Sequence, residues 1–167
     1  MTPGAGARIA SRVTIHLKKI LLPTDFSESA RHALRYAVSF AGEYQAEITL
    51  LHVVEIVAVG YASDLFPVPM AEAFQEISSY ARTELAKLAE EIRGRGIAVK
   101  EIVVQGKPAA EILRVAKEDA IDIIVLGTHG KGVLDQALFG STTERVVRKA
   151  PCPVLTCRPA EHEFIDT

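Results

Sequence analysis

The chain has 167 residues, 49% of them hydrophobic and 24% charged, which is the length of one ordinary domain with enough apolar content to bury a core. Nineteen basic and twenty-one acidic side chains leave a net charge of -2, and there is no tryptophan. A nucleic-acid binder usually carries a basic excess and stacking aromatics, and a membrane helix needs about 18 consecutive apolar residues, so both classes are disfavoured.

The opening segment, MTPGAGARIASRVTIHLKK, is rich in Pro, Gly and small residues and reads as a mobile lead-in over residues 1–14. It lacks the continuous apolar region of a signal peptide. KKILLP (Lys18–Pro23) is a short apolar run closed by turn residues, the pattern of a buried strand. Ala30, Ala33, Leu34, Ala37, Val38 and Ala41 then recur at helical spacing and predict a helix over 27–42. AEITLLHVVE (Ala46–Glu55) is the second strand, with His52 read as a satisfied core histidine rather than a ligand. Residues 56–69 hold Gly60, Pro67 and Pro69 and read as a long connection.

Met70, Ala73, Phe74, Ile77, Ala81, Leu85, Leu88 and Ile92 mark a long amphipathic helix stopped by RGRG. IAVKEIVVQ (Ile97–Gln105) is strand three. GKPAAEILRVAKEDA is a helix with Pro108 in its first turn, where the missing N–H costs nothing. IDIIVLG (Ile121–Gly127) is strand four, and STTERVVRKA has the pattern of a helix with Val146, Val147 and Ala150 inside. PVLTC (Pro153–Cys157) is strand five, and the acidic end over 159–167 reads as a solvated tail. Cys152 and Cys157 are five apart, which directs them to opposite faces of a strand and argues against a bridge between them. Free thiols without a secretion signal indicate a cytoplasmic protein.

Apolar strands alternating with helices predict a single α/β domain over 15–158, a doubly wound parallel sheet with helices on both faces. In such sheets ligands bind beyond the carboxyl ends of the strands, where the strand order reverses. Two strand ends carry suitable chemistry: PTDFS after strand one and GTHGKG after strand four. Gly127 and Gly130 permit positive φ and close backbone approach, and successive N–H groups in such a turn can form an anion nest. The helix that starts after Gly140 offers unpaired N–H donors and a positive dipole end to a phosphate, with the hydroxyls of Ser141, Thr142 and Thr143 beside it. Ser141-x-x-Glu144 is equally a capping box, and Asp25-x-x-Glu28 fits a capping pattern too. His129 and Lys131 fit phosphate contact and loop-tip solvation alike. The five histidines show no metal-ligand spacing.

Gly127-x2-Gly130-x9-Gly140-Ser141 resembles the nucleotide-binding pattern of the ATP-binding subclass of the universal stress protein family. ILLPTDFSESARHALRYA, ITLLHVVE, DIIVLGTHGKG and VVRKAPCPVLTCR stand in that family's order, so the resemblance covers about Lys18 to Arg158. It implies a five-stranded parallel sheet in the order 3-2-1-4-5, with strands one and four adjacent at the reversal. It implies ATP as ligand, with Mg²⁺ brought by the phosphates. Pro23, Thr24 and Asp25 would border the adenosine, Asp25 on the ribose, and the Val53 backbone would meet the adenine edge. Gly127, Thr128, His129 and Gly130 would follow the ribose and phosphates, and Gly140, Ser141, Thr142 and Thr143 would hold the phosphate tail. It also implies a homodimer through the last strand, whose exposed edge would otherwise be a liability.

There is no G-x4-G-K-[ST] motif, no G-x-S-x-G elbow, and no Arg or Lys clamp in the loops for fast phosphoryl transfer. A nucleotide-binding regulatory protein is the leading reading. A slow ATP hydrolase or phosphotransferase using the same pocket is the alternative, and a dimeric scaffold whose glycines are only turns is the third.

Overall fold

The computed structural model describes residues 14–55, 70–128 and 140–158, with the backbone alone for 70–73. Expectations for the lead-in before Thr14, the 56–69 connection, the side chains of Met70 and Ala73, the loop residues His129, Gly130 and Lys131, and the 159–167 tail lie outside the described residues.

Strands and helices follow one another as β1 (Lys19–Pro23), α1 (Glu28–Tyr44), β2 (Glu47–Val54), α2 (Met70–Arg93), β3 (Val99–Gln105), α3 (Pro108–Glu118), β4 (Ile123–Gly127), α4 (Ser141–Lys149) and β5 (Val154–Cys157). The strands form one parallel sheet in the order β3-β2-β1-β4-β5. The alternation of side chains along each strand builds two cores. Ile20, Leu22, Ile48, Leu50 and Val125 face one side, where α1 and α2 cover them. Leu21, Leu51, Ile124 and Leu126 face the other, under α3 and α4. Each such side chain, buried fully, contributes about 1.5–3 kcal/mol, so layering on both faces is the dominant stabilisation. Cys157 belongs to the first core and Cys152 to the margin of the second, and both are free thiols on opposite faces of the sheet.

The order places β1 beside β4 in the middle of the sheet. The helix after β1 packs on one face and the helix after β4 on the other, so the two connections part and open a crevice at the strand ends.

Three local expectations are corrected. Helix α1 continues through Gly42 to Tyr44 and ends on Gln45, at φ 53°, whose N–H donates to the Ala41 carbonyl. Ile77 is exposed, because the buried face of α2 runs through Ser78, Ala81, Leu85, Leu88, Ala89 and Ile92. That ladder passes one residue, about 100° of helix, to the side of Ile77. On α4, Val146 is fully buried and Ala150 half-buried, but Val147 is 46% exposed, since a nine-residue helix lying on one face buries only a narrow stripe.

Candidate functional site

The loop after β1 is a chain of side-chain-to-backbone hydrogen bonds. Thr24 extends the β1–β2 ladder by donating its N–H to the Leu51 carbonyl at 2.9 Å. Its hydroxyl accepts from Phe26 N–H at 3.0 Å. Asp25 Oδ1 accepts from Ser27 N–H at 3.0 Å, and Ser27 Oγ accepts from Ala30 N–H at 3.2 Å. Ser27 is therefore the N-cap of α1. The capping role considered for Asp25 is corrected: its carboxylate sits two residues upstream of the cap and folds the turn. Phe26 has φ +62°, an uncommon conformation for a bulky side chain, and its ring stacks on the His52 imidazole with centroids 4.6 Å apart.

The β4 side is built by three bonds. Thr128 N–H donates to Cys157 O at 3.0 Å, continuing the β4–β5 ladder, and Gly140 N–H donates to Thr128 O at 2.8 Å. The chain thus leaves at Thr128 and returns at Gly140 next to it. Thr143 Oγ1 donates to Gly127 O at 3.0 Å and ties the first turn of α4 to the end of β4. The capping-box expectation is corrected, because the N-cap is Gly140, at φ -68° and ψ 157°, and Ser141 is the first helical residue. A glycine N-cap supplies no side-chain oxygen to the first-turn amides, so among the described residues the opening of α4 has no side-chain cap.

Gly127 lacks the positive φ expected of it. Among the described glycines only Gly96 has positive φ. A Cβ on Gly127 would run into the hydroxyl of Ser29 and come within 2.8 Å of its backbone carbonyl. The glycine lets α1 pack directly on the end of β4.

Between the two loops lies a cleft of about 430 Å³, within the usual range for small-ligand sites. Pro23, Thr24, Asp25, Val53, Gly127, Ser141 and Thr142 line it together. Thr128 and Thr143 are each 4% exposed and do not line it, while Gly140 closes the loop through its N–H. His129 and Gly130 are outside the described residues. Sequence reasoning missed Leu51 and Glu55 on β2 and just past its end, Pro108 and Ile112 of α3, and Ala30 and Leu126. Their signal was positional: each lies near a strand's carboxyl end or a helix's amino end. The core reading of His52 is corrected: the ring is satisfied by the Thr24 carbonyl, but it is half-buried near the end of β2 and lines the cleft.

The cleft is chemically divided. Leu51, Val53, Pro108, Ile112 and Leu126 make an apolar region suited to a flat ring. Asp25 offers a carboxylate suited to hydroxyl donors, and the α4 start offers amides and hydroxyls suited to an anion. His52 Nδ1 donates to the Thr24 carbonyl at 2.8 Å. Among the described residues no group of three His, Cys, Asp or Glu is arranged to hold a metal ion, and no helix is long and apolar enough to cross a membrane.

A model of the universal stress protein family matches residues 16–158. The universal stress protein MJ0577 of Methanocaldococcus jannaschii is 33% identical over 159 residues, covering 87% of this chain and 98% of that protein. The solved structure of MJ0577 superposes with a TM-score of 0.78 at 34% identity, covering 89% of this chain and all of the other. The universal stress protein UspA from Lactobacillus plantarum superposes at 0.74 with 28% identity, covering 87% of this chain and all of the other. A universal stress protein solved in complex with cAMP shares the fold, with a TM-score of 0.62 at 20% identity over 87% of this chain and all of that one. The strand order, the β1/β4 cleft and a family match over nearly the whole described chain agree, and the protein belongs to the universal stress protein family.

Proposed function

We propose that this chain binds ATP in the cleft between the loops after β1 and β4 and acts as a nucleotide-dependent regulatory protein of the cytoplasm. The observation that carries this reading is the union, in one cleft, of an apolar slot, a carboxylate and an uncapped helix start. Those three chemistries match base, ribose and phosphate in that order. A universal stress protein of the same fold has been solved in complex with cAMP, itself an adenine nucleotide.

The residues fit the ligand as follows. The Val53 backbone, near the end of β2, takes the adenine edge. Asp25, with Oδ1 on the Ser27 amide, presents its carboxylate to the ribose hydroxyls. Ser141 and Thr142 supply hydroxyls and amides to the phosphates, with Gly140 keeping the approach unobstructed and Gly127, His129 and Gly130 along the path. Thr143 acts from behind, since its hydroxyl already holds Gly127. Mg²⁺ enters with the phosphates rather than on a site of the protein's own.

Binding dominates over turnover. Among the described residues no Arg or Lys lines the cleft to take up charge on a transferring phosphoryl group. Asp25 and Glu55 are the carboxylates that line the cleft, and Asp25 Oδ1 is committed to the turn. Single-turnover hydrolysis on purified protein, repeated with Asp25→Ala, tests this. Slow or absent turnover is expected, and ordinary enzymatic rates abolished by the substitution would replace the regulatory reading with the hydrolase one.

The fifth strand completes the proposal. β5 is at the sheet edge, and Val154 and Leu155 are only half-buried in one copy. Pairing β5 with β5 of a second copy satisfies the edge and covers both side chains.

A further inference from the structure

We infer that His52 is a positioning residue of the nucleotide cleft, holding the Asp25 turn in a backbone conformation it would not keep alone. The inference rests on the proposed nucleotide reading. Four observations converge on it.

His52 stands near the carboxyl end of β2, beside Val53, and lines the cleft with Thr24 and Asp25. A carbonyl oxygen only accepts, so the 2.8 Å contact between Nδ1 and Thr24 O fixes the proton on Nδ1. The other side of the grip is the ring itself. It lies against Phe26 at 4.6 Å and 24° between planes, a stacked pair. Phe26 is the residue at φ +62°, where a β-carbon is disfavoured and a glycine or asparagine is the usual occupant.

A bulky residue persists in such a conformation only when its surroundings over-determine it, and here they can be named. The Phe26 N–H is held by Thr24 Oγ1, and its ring by His52. The two residues that flank Asp25 are therefore both gripped by one imidazole: Thr24 through its carbonyl, Phe26 through its ring. The Asp25 carboxylate, anchored to Ser27 N–H, inherits that placement. His52 also joins the base side of the cleft, on β2, to the ribose side, on the β1 loop. Its action is thus expected on the part of the ligand that Asp25 meets.

The experiment compares wild type, His52→Leu and His52→Asn. Asparagine places an amide N–H near the position of Nδ1 and keeps the grip on Thr24 O, while leucine keeps bulk and loses the donor. ATP and 2′,3′-dideoxy-ATP are titrated by calorimetry at one temperature well below every variant's melting point. His52→Leu is expected to weaken ATP about tenfold and the dideoxy analogue less than about threefold, with His52→Asn recovering part of the ATP loss because it keeps the Thr24 bond and gives up the Phe26 stack. Equal losses for the two ligands, or no rescue by asparagine, would overturn the inference, because a general packing defect does not distinguish ribose hydroxyls.

A ligand-free arm judges the grip separately. In wild-type protein, nitrogen chemical shifts should show the His52 proton on Nδ1. Amide hydrogen exchange at Phe26 and Ser27 should quicken about tenfold in His52→Leu, while amides of α4 are unchanged. A proton on Nε2 alone, or unchanged exchange at Phe26 and Ser27, would refute the positioning role. Wild-type protein that binds no adenine nucleotide would instead refute the nucleotide reading, and the exchange arm would still decide the role of His52 in the turn.

Discussion

Replacing Gly127 by alanine separates two reasons for the first glycine of the motif. If it exists for the ligand, the fold tolerates a methyl group there. The geometry says otherwise: the added Cβ meets the Ser29 hydroxyl and lies 2.8 Å from both the carbonyl carbon and oxygen of Ser29, where ordinary contact begins near 3.4 Å. A hydroxyl can rotate away, but the carbonyl belongs to the first turn of α1, so the helix start must withdraw by roughly 0.6 Å from a packed interface. Overpacking of this kind costs about 1–3 kcal/mol. For a domain of this size each kcal/mol lowers Tm by about 2–4 °C, so Gly127→Ala should melt roughly 2–12 °C below wild type. Calorimetry and urea unfolding measure it. Adding Ser29→Ala removes the hydroxyl but not the carbonyl, and should restore less than half of the loss in a double-mutant cycle. A Gly127→Ala protein that melts within about 1 °C of wild type and loses ATP would refute the packing argument.

Thr143→Val keeps shape and removes the donor to Gly127 O; it should cost about 1–2 kcal/mol and weaken ATP, while Thr143→Ser keeps both near wild type, as read by unfolding and calorimetric titration. Burial pushes the Cys157 thiol up to about 11 from an ordinary 9.0. Between those values the unfolded chain ionises at Cys157 and the folded one does not, so stability is intact below pH 9.0 and declines towards pH 11 by about 2–3 kcal/mol. Urea midpoints across that window should fall in wild type and flatten in Cys157→Ala; equal slopes would contradict the assignment. Val154→Asp should convert a dimer to monomer in sedimentation velocity without unfolding it, and an unchanged sedimentation coefficient would remove β5 as the interface.

The architecture was legible because it follows from apolar periodicity. Ile20 to Leu22, Ile48 to Leu51 and Ile124 to Leu126 are strand cores, and Ala33, Ala37 and Ala41 make the inner face of α1, with Ala30 buried above them at the cleft. The reversal at β1 and β4 came from the family resemblance, not from periodicity, which says nothing of strand order. Seven proposed site residues share one cleft: six lie at strand ends and helix starts visible as switches in pattern, and Val53 came from the family resemblance.

What escaped depends on competition between neighbouring groups. Asp25 and Ser27 both carry cap-forming oxygens, and only the turn geometry gives the cap to Ser27. Ser141-x-x-Glu144 looks like a capping box, but the helix begins one residue earlier than that reading requires, on a glycine with no side chain. The positive φ at Phe26 has no mark in the sequence, since neither Gly nor Asn is there, and it depends on a ring 26 positions later. Ile77 was misplaced by one residue because a long helix slides its apolar stripe past the sheet.

The central claim is that an adenine nucleotide sits between Asp25 and the start of α4, and Gly140→Val tests it most directly. Gly140 has extended backbone angles that valine adopts without strain, so the substitution adds bulk at the phosphate end and leaves the chain path intact. Calorimetric titration of ATP into wild type should give one site per chain, and Gly140→Val should lose at least about 100-fold in affinity, near 2.7 kcal/mol, with its melting temperature within a few degrees of wild type. Equal ATP affinity in the two proteins would contradict the account.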